Sequence, residues 1–210
     1  RTEKEVKIET VLSVSAIYIQ RILDIQVTWT VQADGTVDVA MDVKRNPIFP
    51  MLPRFGLRLF LPKEMKDVTY YGLGPVESYV DKRRASWHGE FSSPVTGLYE
   101  DYIRPQENGS HYDCDFVTLS SNTGHLLTER KTSLTAVSAQ AFSFNASVYT
   151  EEELTDKAHN YELEECGSTV LCLDYCQNGI GSNSCGPQLL EKYRLDETEF
   201  HFALRLKPEA

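Results

Sequence analysis

The feature that most constrains this chain is a two-residue alternation that runs, turns and runs again. In IQVTWTVQADGTVDVAMDV, residues 25–43, Ile25, Val27, Trp29 and Val31 alternate with polar residues, and Val37, Val39, Met41 and Val43 do the same after the turn. A period of two places these side chains on one face of a strand and would scatter them around a helix. A two-residue Asp34-Gly35 loop would set Val31 opposite Asp38 and mix the faces. A three-residue loop, Ala33-Asp34-Gly35, sets Val31 opposite Val37 and Val27 opposite Met41, with Gly35 at the left-handed position of a type I turn plus bulge. One apolar and one polar face result, so this hairpin covers a core on one side and meets water on the other.

The same pattern recurs in AFSFNASV, through Phe142, Phe144, Ala146 and Val148, and in TEFHFALRL, through Phe200, Phe202, Leu204 and Leu206. Further strands are expected over Val6–Leu12, Ala16–Ile22, Gly56–Leu61, Val68–Tyr71, Phe116–Ser120, Ser133–Ser138 and Thr169–Tyr175. One short helix is expected after Thr150-Glu151-Glu152-Glu153, a capping box in which the Thr150 hydroxyl accepts from the third amide and Glu153 reaches back. Its glutamates suit the positive end of a helix dipole. From Gly72 to Gly109 the pattern thins into a long irregular stretch rich in aromatics, and such stretches in compact domains are usually functional or interface-forming. The expected fold is all-β: one domain over residues 1–210, a large antiparallel β-sandwich with one or two short helices.

Composition narrows the function classes. The 210 residues carry a net charge of −10, and the longest basic cluster is Lys82-Arg83-Arg84. That argues against nucleic acid and anionic membranes as partners. No apolar run approaches the roughly 20 residues of a membrane helix. The start, RTEKEVK, has no apolar h-region and no Met, so it reads as part of a longer chain and not as a signal peptide. Five cysteines, an odd number at ordinary density, read as free thiols in a reducing, cytoplasmic setting. Cys172 and Cys176 stand as CxxxC with Cys166 near, which raises a zinc site against the plainer reading of small buried hydrophobes. No metal site is assigned.

The chemical motifs are few. GLGP at Gly72–Pro75 precedes no helix, so a dinucleotide loop fails its context. There is no Gly-x-Ser-x-Gly elbow and no His-Glu-x-x-His helix, and His88, His111, His125, His159 and His201 never pair at ligand spacing. His201 falls on the polar side of a strand. Glu77, Asp81 and Glu107 lie in the irregular stretch. Paired carboxylates can hydrolyse glycosides, but these are equally suited to pairing with Arg83 or accepting loop amides. Tyr70, Tyr71, Tyr79, Trp87, Phe91, Tyr99, Tyr102 and Tyr112 suit sugar faces, and equally a core or an interface. The most irregular run is QNGIGSNSCGP, residues 177–187, whose glycines and short polar groups fit a turn as well as a binding loop.

YYGLGPVESYVDK (Tyr70–Lys82), GLYEDYIRPQENG (Gly97–Gly109) and NGIGSNSCGP (Asn178–Pro187), preceded by LPRFGLRLFLP (Leu52–Pro62), resemble in order and spacing the C-terminal domain of the large β-galactosidases of glycoside hydrolase family 2. The resemblance covers nearly the whole chain. It implies a "supersandwich" similar to galactose mutarotases, the last of five domains, or in some bacteria a separate small subunit. It places the catalytic glutamates, with the magnesium and sodium ligands, in a TIM barrel outside this chain, so no catalytic residue and no cofactor is expected here. The whole enzyme would hydrolyse terminal β-D-galactosides such as lactose with retention, as an oligomer. The Gly-Ile-Gly loop would form part of the wall around the bound sugar, through Gly181, Asn183, Ser184 and Cys185. Cys185 aligns with a stacking tryptophan of the best-known members, and a thiol cannot supply an aromatic platform. Two other readings follow from the same sandwich. A mutarotase or epimerase needs a His and Glu acid/base pair, and a carbohydrate-binding module needs affinity for galactosides in the chain itself.

Overall fold

The computed structural model describes residues 4–123, 130–180 and 188–209. Its strands are β1 (Glu5–Val14), β2 (Leu23–Gln32), β3 (Val37–Arg45), β4 (Arg54–Pro62), β5 (Asp67–Gly74), β6 (Trp87–Pro94), β7 (His111–Thr123), β8 (Arg130–Ser147), β9 (Ser168–Gln177) and β10 (Glu199–Glu209). One short helix, α1 (Glu151–Asp156), lies between β8 and β9. Every pairing is antiparallel, in the order β1-β2-β3-β10-β8-β7-β5-β6, while β9 joins both β8 and β4.

The alternation fixes the hairpin register as expected. Val31 stands opposite Val37 and Val27 opposite Met41. Gln32 and Thr36 close the three-residue loop, and Gly35 sits at φ 87°. A side chain at that angle is strained, which is why glycine is wanted there.

β8 makes the sandwich. Its first part, Ser133–Val137, lies between β10 and β7, and its last part, Ser143–Ser147, pairs with β9, with β7 still beside it through His111 opposite Phe144. Between them Ala139, Gln140 and Ala141 are all exposed, and the β7–β8 register slips on either side of Cys114. The strand therefore leaves one layer and enters the other, carrying β9 and β4 back over β10. Phe55 of β4 meets Phe200 of β10 edge-on at 5.0 Å, and Tyr175 of β9 stacks on Phe200 at 4.7 Å. Both layers share one apolar core, including the fully buried Phe144, Leu173 and Phe202.

Three expectations about strands change. Residues 16–22 form the turn between β1 and β2, not a strand, because Val14 pairs with Leu23 and the intervening residues must reverse the chain. Ile17 and Tyr18 point into solvent there, and Tyr18 takes φ 64°. The runs 133–138 and 141–148 belong, up to Ser147, to the single long strand β8. The stretch 72–109 contains β6, an edge strand on β5 whose sequence, WHGEFSSP, lacks apolar alternation because half of it faces water. α1 forms as expected at its start: the Thr150 hydroxyl accepts from the Glu153 amide at 3.1 Å. The Glu153 carboxylate instead accepts from the Glu164 amide at 2.8 Å.

Candidate functional site

The site begins where β9 ends. Asn178 donates its main-chain N–H to the Pro53 carbonyl at 2.9 Å and its side-chain amide to the Leu52 carbonyl, and accepts from the Leu195 N–H at 2.7 Å. Leu52 in turn bonds the Leu195 carbonyl. One buried asparagine thus ties both ends of the segment 179–194 to the entry of β4. Gly179 follows at φ 75°, and a Cβ there would lie 1.9 Å from Asp81 Oδ1. The positive φ strains any side chain at this position, and the Asp81 carboxylate packs against its bare backbone. On the return path Arg194 donates twice to the Leu189 carbonyl. Buried Arg45 donates to the main-chain carbonyls of Phe49, Asp196 and Glu197. The expected binding residues Gly181, Asn183, Ser184 and Cys185 lie outside the described residues. The structure shows the frame that holds their segment at both ends.

Two ionic clusters brace this frame. Arg54, the first residue of β4, pairs bidentately with Asp174 of β9 at 3.2 and 2.5 Å and reaches Glu107 at 3.0 Å. The carboxylates beside it hold the guanidinium protonated. Burial pushes the Glu107 carboxyl up, and Arg54 opposes that without overcoming it. Met51, Arg54, Glu107, Asn178 and Gly179 line a hollow of about 310 Å³ at the root of the segment.

The second cluster centres on Glu77. Its carboxylate is buried and accepts from Lys82 Nζ, the Tyr102 hydroxyl at 2.6 Å, the Gly109 N–H at 2.8 Å and the Tyr79 hydroxyl at 3.4 Å. Burial pushes its pKa up, but the donors from Lys82, Tyr102 and Gly109 outweigh that and hold it below the ordinary value. A carboxylate so held is a poor general acid at neutral pH. Glu77 pins YYGLGPVESYVDK to GLYEDYIRPQENG. Its partner is Lys82, and Arg83 lies over the Tyr112 ring instead.

The remaining candidates are placed as follows. His111 is buried, with Nδ1 3.1 Å from the Gly109 carbonyl and its ring stacked on Phe144. Burial lowers its pKa to about 4, so it is neutral at pH 7. His88 meets Asp113 at 2.9 Å on the open surface, and His201 meets Asp42 at 2.7 Å, solvated as expected. His125 lies outside the described residues. His159 meets Glu162 at 3.5 Å within one exposed turn, and none of the other described imidazoles pairs with a glutamate, so no described His and Glu face each other across a cleft as the epimerase reading needs. Cys172 is buried, as the plainer reading expects, and donates to Glu151, whereas Cys176 is partly buried and Cys166 is exposed. No group of three or more His, Cys, Asp or Glu placed to hold a metal occurs among the described residues. Tyr70 and Tyr79 are core residues, whereas Trp87 is exposed on β6. Sequence reasoning missed Asn178, Arg54 and Asp174. An Asn-Gly pair just after a strand hints at Asn178, but nothing local marks a buried ion pair between two strands 120 residues apart.

Fold and site together define an all-β sandwich whose described ionic residues brace loops and do not converge as an acid/base pair. The chain belongs to the family described as "Beta galactosidase small chain", whose model it matches over residues 1–206. It is 41% identical over 200 residues to a β-galactosidase of Actinobacillus pleuropneumoniae, covering 95% of this chain and 19% of that protein. It is 44% identical over 181 residues to one of Staphylococcus xylosus, covering 86% of this chain and 17% of that protein. A β-galactosidase of Lactococcus lactis is 34% identical over 175 residues, covering 83% of this chain and 16% of that protein. The chain therefore spans less than a fifth of the length of these relatives.

Proposed function

We propose that this chain is the C-terminal sandwich, or the small subunit, of a glycoside hydrolase family 2 β-galactosidase. The whole enzyme cleaves terminal β-D-galactosides of the lactose type with retention, and a TIM-barrel domain supplies the catalytic carboxylates with magnesium and sodium. This piece supports assembly in a cytoplasmic oligomer and presents residues 181–187 at the rim of the sugar site. Gly181 permits close approach, and Asn183, Ser184 and Cys185 offer short polar groups to the sugar. The observation that carries the reading is the match of nearly the whole chain to a small part of each β-galactosidase. The state of Glu77, held ionised by Lys82, Tyr102 and Gly109, agrees with it, and Glu107 is tied to Arg54 at 3.0 Å.

Two measurements test it. The 210-residue chain alone should show no hydrolysis of a chromogenic galactoside; turnover abolished by Glu77→Gln or Glu107→Gln would place the chemistry here and overturn the proposal. In the full-length enzyme, Asn183→Ala with Ser184→Ala should raise KM about tenfold, the equivalent of one hydrogen bond of roughly 1.4 kcal/mol, at unchanged melting temperature. An unchanged KM would remove the loop from the sugar site.

A further inference from the structure

The two layers of the sandwich differ in width. Val6, Ile8, Leu12 and Val14 of β1 stand opposite Val31, Trp29, Ile25 and Leu23 of β2. Opposed residues share a face, so this row lies on the face that β2 turns to the core. Leu23, Ile25 and Val27 are 5%, 7% and 3% exposed, yet Val6, Ile8, Leu12 and Val14 are 37%, 48%, 50% and 45% exposed. The inward row of β1 has the pattern of a core, and the described residues leave it between 37% and 50% exposed.

The reason lies in the opposite layer. There β4 pairs only with β9 among the described residues, so its other edge carries unpaired main-chain groups. Its inward residues Leu57, Leu59 and Leu61 are only partly buried. Beside that edge a groove of about 630 Å³ opens between the layers, lined by Leu12, Val14, Ile25 and Trp29 on one side and Phe55 and Leu57 on the other.

An uncovered core face, an apolar groove and an unpaired strand edge thus meet at one place. We propose that a further strand of the second layer docks here: an extended segment from elsewhere in the same longer β-galactosidase polypeptide. It pairs its main chain with the free edge of β4 and sets alternate apolar side chains into the groove over β1 and β2. This rests on the functional reading above. The occupant is assigned to the same polypeptide because more than four-fifths of each long relative lies outside the matched part. A second copy is the poorer occupant. Across a two-fold axis it would set its own hollow against this one and leave both unfilled. The outer face of β1 carries Glu5, Lys7 and Glu9, the charged surface of a strand that meets water.

The experiment uses the full-length polypeptide with a photo-crosslinking amino acid at position 12. Proteolysis and mass spectrometry should recover a crosslink to one segment of the same polypeptide outside residues 1–210. Crosslinks to a second copy, to residues within 1–210 alone, or to nothing would overturn the proposal. Substitution adds an independent reading. Leu12→Asp and Val14→Asp should each lower the melting temperature by roughly 5 °C, while Val11→Asp, on the opposite face of β1 and 79% exposed, should leave it unchanged. Equal shifts on both faces, or no shift on either, would also overturn it. Galactoside turnover by the unsubstituted polypeptide reads the functional proposal separately, so the two can fail independently.

Discussion

His111 shows how one residue couples the long loop segment to solution conditions. Its ring fills the space between Phe144 and Tyr70, at 5.1 and 4.5 Å, and its nitrogens face the Gly109 and Pro75 carbonyls. Burial lowers its pKa from 6.5 to about 4. The unfolded chain therefore binds the proton more readily, and folding opposes protonation. The stability this gives, about 3 kcal/mol, is present above pH 6.5 and is lost as the pH falls toward 4. Glu77, held below its ordinary pKa chiefly against burial by Lys82, Tyr102 and Gly109, adds a loss at still lower pH. Urea denaturation across this range should show stability falling from pH 6.5 downward, and His111→Gln should flatten the profile between 6.5 and 4. An equal slope in that variant would mean that the imidazole is not its source. None of this was legible in the sequence. A histidine between Ser110 and Tyr112 reads the same whether it is solvated, like His201, or sealed under a phenylalanine.

At the scale of elements, legibility followed period and exposure. The β2–β3 hairpin was readable to the residue because one face is wet, and a slip of one would invert it. β6 was not, because an edge strand with both faces partly in water needs no alternation. The turn at 16–22 was misread because Ile17, Tyr18 and Ile19 are apolar yet exposed at 83%, 104% and 48%. Composition there pointed to a strand, and the pairing of Val14 with Leu23 left it only a turn. α1 was readable from its cap. It matters beyond its six residues, since Glu151 and Glu152 pair with Arg58 of β4. Thr150→Ala should cost about 1 kcal/mol, measured by chemical denaturation, and Thr150→Ser should restore most of it. An unaffected Ala variant would show that packing of Leu154 alone holds the helix.

Across the whole molecule, β8 decides the cooperativity. Its first part pairs with β10 and its last part with β9, with β7 beside both, so the layers cannot separate without breaking it. Phe144 stands near that passage, fully buried. Phe144→Ala should cost about 3–5 kcal/mol and leave a single transition, with near-UV and far-UV signals coincident. Separate transitions would mean that the layers fold as independent units. The sequence by itself determined the strands with one wet face, the hairpin register, the helix cap and the family resemblance, because each is written in neighbouring residues or in a run of motifs. Only the tertiary structure decided that β8 crosses between layers, that Arg54 finds Asp174, that Asn178 ties loop ends to β4, and that β1 offers an uncovered core face. Those outcomes depend on which distant strands become neighbours, and the free energy that selects them comes from burial shared across the whole core, which no local window contains.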